Sequence, residues 1–203
     1  MTSRKKKIAT EAQAETGPVT RELKAFYHGQ PGDRVSSARF YWPPGTGPRE
    51  SIAAHFQAKR RPAASESLVD TAAKVEVLLR GDVPEDYTDP TFLVESYMSK
   101  LPREETSAFA QVTLSFAKAT NLHHSWEQAR SWLRDHFVAR AGVPVVAILH
   151  APFLAGSDSP VHLHALVLTR RLSAFGWLSG HRELAGDAGL AAAEKSWLSS
   201  IQD

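Results

Sequence analysis

The stretch "AILHAPFLAGSDSPVHLHALVLTRR", residues 147–171, decides how this chain is read. An apolar run ends in His150, a polar loop of eleven residues follows, and a second apolar run opens with His162 and His164. Histidine is not a favoured strand residue, so sheet propensity does not account for three of them here. In a strand, alternate side chains share a face, which groups His162 and His164 with Leu166, Leu168 and Arg170. His150 shares its face with Val146 and Ile148. If the two runs pair antiparallel, the end of one lies beside the start of the other, and the three imidazoles converge. Neutral imidazole nitrogens in that arrangement bind a divalent ion and leave positions open for water or substrate. Asp158, in the loop, is a weaker candidate ligand, because Asp beside Gly and Ser is ordinary turn chemistry.

Working outward, "VPVVAILH" and "VHLHALVLTR" are strands, and "SWEQARSWLRDHFVAR" before them is a helix. Ser125 with Gln128 makes a capping-box pattern, and Trp126, Ala129, Leu133 and Phe137 mark one apolar face. "SAFAQVTLSF" alternates as a strand, setting Phe109, Gln111 and Thr113 against Ala110, Val112 and Leu114. "DPTFLVESYMSKL" is a helix with Pro90 near its start, "KVEVLLRG" a strand, and "ESIAAHFQAKRR" a short helix. "ELKAFYHG" (22–29) reads as a first strand whose Tyr27 is a core residue, and "AGLAAAEKSWLSSI" as a closing helix. The Pro- and Gly-rich stretch 30–50 reads mostly as loop. The sum is an α+β fold, an antiparallel sheet flanked by helices. Residues 1–20 read as a flexible basic tail and 21–203 as a single domain.

The 203 residues are 42% hydrophobic, enough for a real core, and contain no cysteine, which excludes disulfides and thiolate metal sites. No apolar run approaches a membrane span and the basic start leads into no apolar region, so a cytoplasmic location is expected. The formal net charge is only +2, but "SRKKK" (3–7) and "AKRRP" (58–62) concentrate cations. Such runs serve as solvated surface or as contacts to nucleic acid.

His150, then Pro160, His162, His164, "ALVLT" and Arg170, resembles the motif of the MobA/MobL-type conjugative relaxases, members of the HUH endonucleases. Val161, between the proline and the first histidine of the pair, departs from that pattern. "LSAFGWLSGHREL" and "AAAEKSWLSSI" downstream, and "LVESYMSKL", "FAQVTLSFAKATN" and "KVEVLLRGDVP" upstream, are similar to the family's flanking elements in the same order. The resemblance implies a metal-dependent single-stranded DNA nickase and transesterase acting at a plasmid transfer origin, with accessory mobilisation proteins as further partners. His150, His162 and His164 would hold Mg2+ or Mn2+ over the scissile phosphate. Lys59, Arg60, Arg61 and Arg170 would contact DNA, and Phe40 and Trp42 could stack on bases. Glu76 could orient a nucleophile. The family's nucleophilic tyrosine has no direct counterpart, since His55 stands at its place on the first helix. Three readings follow: His55 attacks and forms a phosphoramidate; Tyr27 or Tyr41 enters from outside the helix; or the chain binds DNA without cutting it. A structural metal such as Zn2+ is a further alternative.

Overall fold

The computed structural model describes residues 23–30, 32–42, 50–62, 70–102, 104–116 and 121–201. The stretch 1–20, read as a basic tail, lies outside them. Six strands form one sheet: β1 (Lys24–His28), β2 (Val35–Tyr41), β3 (Lys74–Leu78), β4 (Ser107–Phe116), β5 (Val145–His150) and β6 (Val161–Val167). Their order is β1-β2-β4-β6-β5-β3, and every neighbouring pair is antiparallel. The α+β architecture expected from the sequence is the one observed. β5 and β6 occupy inner positions, buried on both faces, which is why they read as nearly continuous apolar runs.

Two layers of helices cover the sheet: α1 (Glu50–Arg60) and α2 (Pro90–Lys100) on one side, α3 (Leu122–Leu133) and α4 (Asp187–Ser200) on the other. On the α3/α4 side, Val112, Leu114, Ala147, Leu163 and Ala165 pack with Trp126, Phe137 and Trp197. On the α1/α2 side, Phe40, Phe109, Ile148 and Leu166 pack with Ile52, Phe56, Leu93 and Tyr97. Fully burying one such side chain stabilises the fold by roughly 1.5–3 kcal/mol, more than any propensity within these short helices.

The helix ends follow local chemistry. Asp89 caps α2 by accepting from Phe92 N at 2.7 Å, and Pro90 fills the first turn, where no amide donor is needed. Asp89→Ala is expected to cost about 1 kcal/mol in urea denaturation. For α3 the capping residue is Asn121, not Ser125: the Asn121 side chain accepts from His124 N at 3.1 Å. Ser125 lies one turn inside, donating its hydroxyl back to Asn121 O. The expected apolar face of Trp126, Ala129, Leu133 and Phe137 is fully buried. Beyond Leu133 the helix widens into a π-helical turn, Arg134–Ala139.

Two expectations are corrected. Part of the stretch read as loop, 30–50, is the seven-residue strand β2, paired on both sides. After Val35, the positions of this strand that face α4 turn polar because α4 supplies polar partners: Ser37 donates to Glu194, and Arg39 bonds Asp187. Polar residues on that face and the surrounding Gly and Pro mask the strand in the sequence. Gly29, at φ 75°, turns the chain from β1 into β2 where a side chain would press on Ser36. Second, the histidine strand does not run to Arg170. β6 stops at Val167, and Arg170 opens β7 (Arg170–Ser173), which pairs with β8 (Gly176–Gly180) in a separate sheet. Leu168 N is diverted to Pro144 O, and Thr169 O accepts from His181 N.

Candidate metal centre

Strand register assembles the centre. His150, the last residue of β5, stands opposite His162, and Ile148 stands opposite His164. The three rings form a near-equilateral triangle with centroids 4.8–4.9 Å apart. One ligand nitrogen from each lies within 4.8 Å of the others. The site sits on the α1/α2 side of the sheet, where β5 ends and β6 begins.

Backbone carbonyls fix two of the tautomers. A carbonyl oxygen only accepts, so His162 Nδ1–H donates to Pro160 O at 2.9 Å and His150 Nε2–H donates to Lys59 O at 2.6 Å. The opposite nitrogens, His162 Nε2 and His150 Nδ1, then carry lone pairs and face each other at 3.2 Å. His164 Nδ1 bonds Thr113 Oγ1 at 3.0 Å, while its Nε2 is buried without a hydrogen-bond partner. Two opposed lone pairs and an orphaned buried nitrogen are unfavourable by themselves; a shared cation satisfies all three. The donor set therefore fits a divalent ion.

The electrostatics agree. Burial, reinforced by the Lys59 charge and the neighbouring imidazoles, pushes the His164 pKa well below the ordinary histidine value, so the ring is neutral at pH 7 as a metal ligand requires. Burial also brings His55 down to about 4, against a partly offsetting hydrogen bond from Gln111 and with further lowering by Lys59.

The other candidate residues are dispersed differently. His55 lies over the histidine side of the sheet but is only 6% exposed, wedged against Phe40 and Phe109 with its Nε2–H bonded to Gln111 Oε1 at 3.0 Å. Tyr27 is 59% exposed, contrary to its reading as core, because β1 is an edge strand. It shares the histidine face. Its register through Ala38 and Gln111 to Leu166 leaves its Cα roughly 16 Å from that of His164. Tyr41 pairs with Ser107 and packs on Arg39, putting it at the far end of the sheet on the α4 side, about 20 Å along the strands from Thr113. It is not part of the centre.

Phe40 and Trp42 are core residues with no surface to offer a base; Trp42 donates its indole N–H to Glu105 O. Glu76 faces α3, where Arg130 binds it bidentately and Arg134 joins them; the pair holds its carboxyl below the ordinary range against the effect of burial. Being on the opposite side of the sheet from the histidines, it orients nothing there. Arg60 and Arg61 engage Asp70, and Arg60 also reaches Thr91. Lys59 belongs to the centre twice over, through its carbonyl and its charge. Arg170 lies past the opposite end of β6 in the small sheet, and Asp158 is exposed in the loop.

Two residues of the centre escaped the sequence reading: Gln111 and Thr113 on β4, with Thr113 directly opposite His164. The signal was present in the alternation of "FAQVT", which places both on one face of the strand, away from the apolar Ala110, Val112 and Leu114.

An antiparallel sheet flanked by helices, with histidines meeting where two inner strands adjoin, is the α+β arrangement expected from the sequence. Among solved structures, a chain from work on the molecular basis of vancomycin resistance transfer in Staphylococcus aureus shares this fold. Its TM-score is 0.53 at 14% sequence identity, over 64% of this chain and 68% of that one. No protein-family model and no curated protein matches the sequence. No helix among the described residues is long and apolar enough to cross a membrane.

Proposed function

We propose that this protein processes single-stranded DNA during the transfer of a mobile element, nicking and rejoining one strand at a transfer origin with the help of a divalent ion held by His150, His162 and His164. The observation that carries this reading is the triangle of imidazoles with converging lone pairs, on a fold shared with a resistance-transfer protein. When bound, the ion would neutralise charge on the phosphoryl oxygens and favour in-line attack. The protein's own part is to hold two ligand tautomers through the Pro160 and Lys59 carbonyls, to orient the His164 ring through Thr113, and to add the Lys59 charge beside the phosphate. An all-imidazole set suits Mn2+ better than Mg2+, which prefers oxygen donors.

Among the three candidate nucleophiles, Tyr27 alone is both exposed and on the histidine face. Its hydroxyl oxygen would bond to phosphorus as the bond to the departing 3′ oxygen breaks, releasing a 3′-hydroxyl and retaining the 5′ phosphate on the tyrosine; the reverse step rejoins the strand. Partial burial raises the Tyr27 pKa, so the phenol keeps its proton until attack, when it passes to water, while the departing 3′ oxygen takes a proton from water. Its distance from His164 requires the edge strand to close on the centre. That same distance favours a second reading, in which the centre grips a strand without cutting it.

The test incubates the protein and Mn2+ with labelled single-stranded oligonucleotides of randomised sequence and looks for a denaturation-resistant adduct. A phosphotyrosine at residue 27, lost in Tyr27→Phe while DNA binding persists, is expected. Histidine-dependent DNA binding with no adduct would establish the second reading instead.

A further inference from the structure

We infer that His55 is a positioning residue for the metal centre, acting on His164 through Gln111 and Thr113, and is not a nucleophile. The inference rests on the metal reading above and assigns that site a buried supporting shell.

Four polar side chains, His55, Gln111, His150 and His164, are buried on the α1/α2 side of the sheet, near Phe40, Phe56, Phe109, Ile148 and Leu166. Buried polar groups persist in such surroundings when each has its partner. Here the partners form a chain. His55 Nε2–H donates to Gln111 Oε1 at 3.0 Å, which fixes the amide so that its nitrogen points the other way. That nitrogen donates to Thr113 Oγ1 at 3.1 Å and lies 3.3 Å from His164 Nδ1. Thr113 Oγ1 stands 3.0 Å from the same Nδ1. Thr113 Oγ1 has two lone pairs, so it accepts from Gln111 and, in the tautomer a metal requires, also from His164 Nδ1–H; His164 then presents its Nε2 lone pair to the other two histidines.

His55 is held at the head of this chain by aromatic rings. Phe40 lies 4.6 Å and Phe109 5.0 Å from its ring, centroid to centroid. Attack through Nε2 would require the ring to leave this slot, break the bond to Gln111 and strand the amide oxygen in an apolar layer, all before any chemistry. The geometry suits a fixed support. The second anchor of the centre comes from the same helix, since the Lys59 carbonyl, one turn after His55 on α1, accepts from His150. A single helix thus supports two of the three metal histidines, one through its backbone and one through a side chain.

The test is Mn2+ calorimetry on the intact protein, His55→Phe, His55→Gln and Gln111→Leu, with circular dichroism to verify folding. His55→Phe preserves an aromatic shape between Phe40 and Phe109 but removes the donor, and is expected to weaken Mn2+ binding about 10–100-fold. His55→Gln, which restores an N–H, should recover most of the loss. Gln111→Leu should match His55→Phe and carries the test if the latter does not fold. At saturating Mn2+, His55→Phe should still yield the DNA adduct that the intact protein yields. Unchanged Mn2+ affinity in His55→Phe or Gln111→Leu overturns the inference, as does an adduct that disappears in folded, Mn2+-saturated His55→Phe. Failure of the intact protein itself to bind Mn2+ would remove the metal reading, a result distinct from any difference between variants.

Discussion

The His162→Ala, His164→Ala double variant is expected to remain folded, bind no Mn2+ detectable by calorimetry, and form no DNA adduct, where the intact protein binds one ion. Each replacement deletes a ligand nitrogen that no neighbour can supply: among the described residues, the three histidines are the one group placed to hold an ion. His150 alone offers a single ligand nitrogen, too few to hold an ion. Folding should survive because the two apolar layers close without the centre, one over Trp126 and Trp197 and the other over Phe109 and Tyr97. The deletion also relieves the opposed lone pairs of His150 and His162. If the double variant loses its fold, His162→Ala alone decides the matter, since that ring is only partly buried and its Nδ1 bonds nothing deeper than Pro160 O. A structural metal would behave differently: chelation of the intact protein would then lower its melting temperature by many degrees. Mn2+ binding that survives in the folded double variant would sink the assignment.

The histidine centre was legible because strand periodicity and antiparallel pairing are strict. Once "VAILH" and "VHLHALV" are antiparallel strands joined by ten residues, His150 comes to adjoin His162, and the register bears this out. The helices were legible for a similar reason, as their apolar spacing leaves one face to bury. What stayed hidden depends on partners distant in sequence. Ser37 and Arg39 look unlike strand residues until Glu194 and Asp187 lie against them. Glu76 looked like a free carboxylate until α3 placed Arg130 on it. His55 matched the position of a family nucleophile, but nothing in "SIAAHFQAKRR" reveals that Phe40 and Phe109 enclose it. Tyr27 sits in an apolar run yet is exposed, because edge position is a property of the sheet and not of the strand. Exposure and burial of the candidate nucleophiles are thus the part of the reading that most needed the structure.

Acid should destabilise the metal-free protein in a window set by its buried histidines. In the unfolded chain His55 titrates near 6.5, whereas burial in the folded protein holds it at about 4. Between these values the unfolded state takes up a proton that the folded state refuses, so stability rises with pH there and is lost as pH falls from 6.5 toward 4. Below about 4 both states are protonated and this contribution stops changing. For His55 alone the loss between pH 7 and pH 5 is roughly 2 kcal/mol. His164 is shifted in the same direction, again by burial first, and adds to the loss. Urea denaturation in the presence of chelator, compared at pH 7 and pH 5, measures the total. His55→Phe should shrink the difference by roughly 2 kcal/mol, because a phenyl ring has no proton to gain. Equal pH dependence in the intact protein and His55→Phe would mean that His55 titrates normally, and that the aromatic slot does not exclude water as its burial requires.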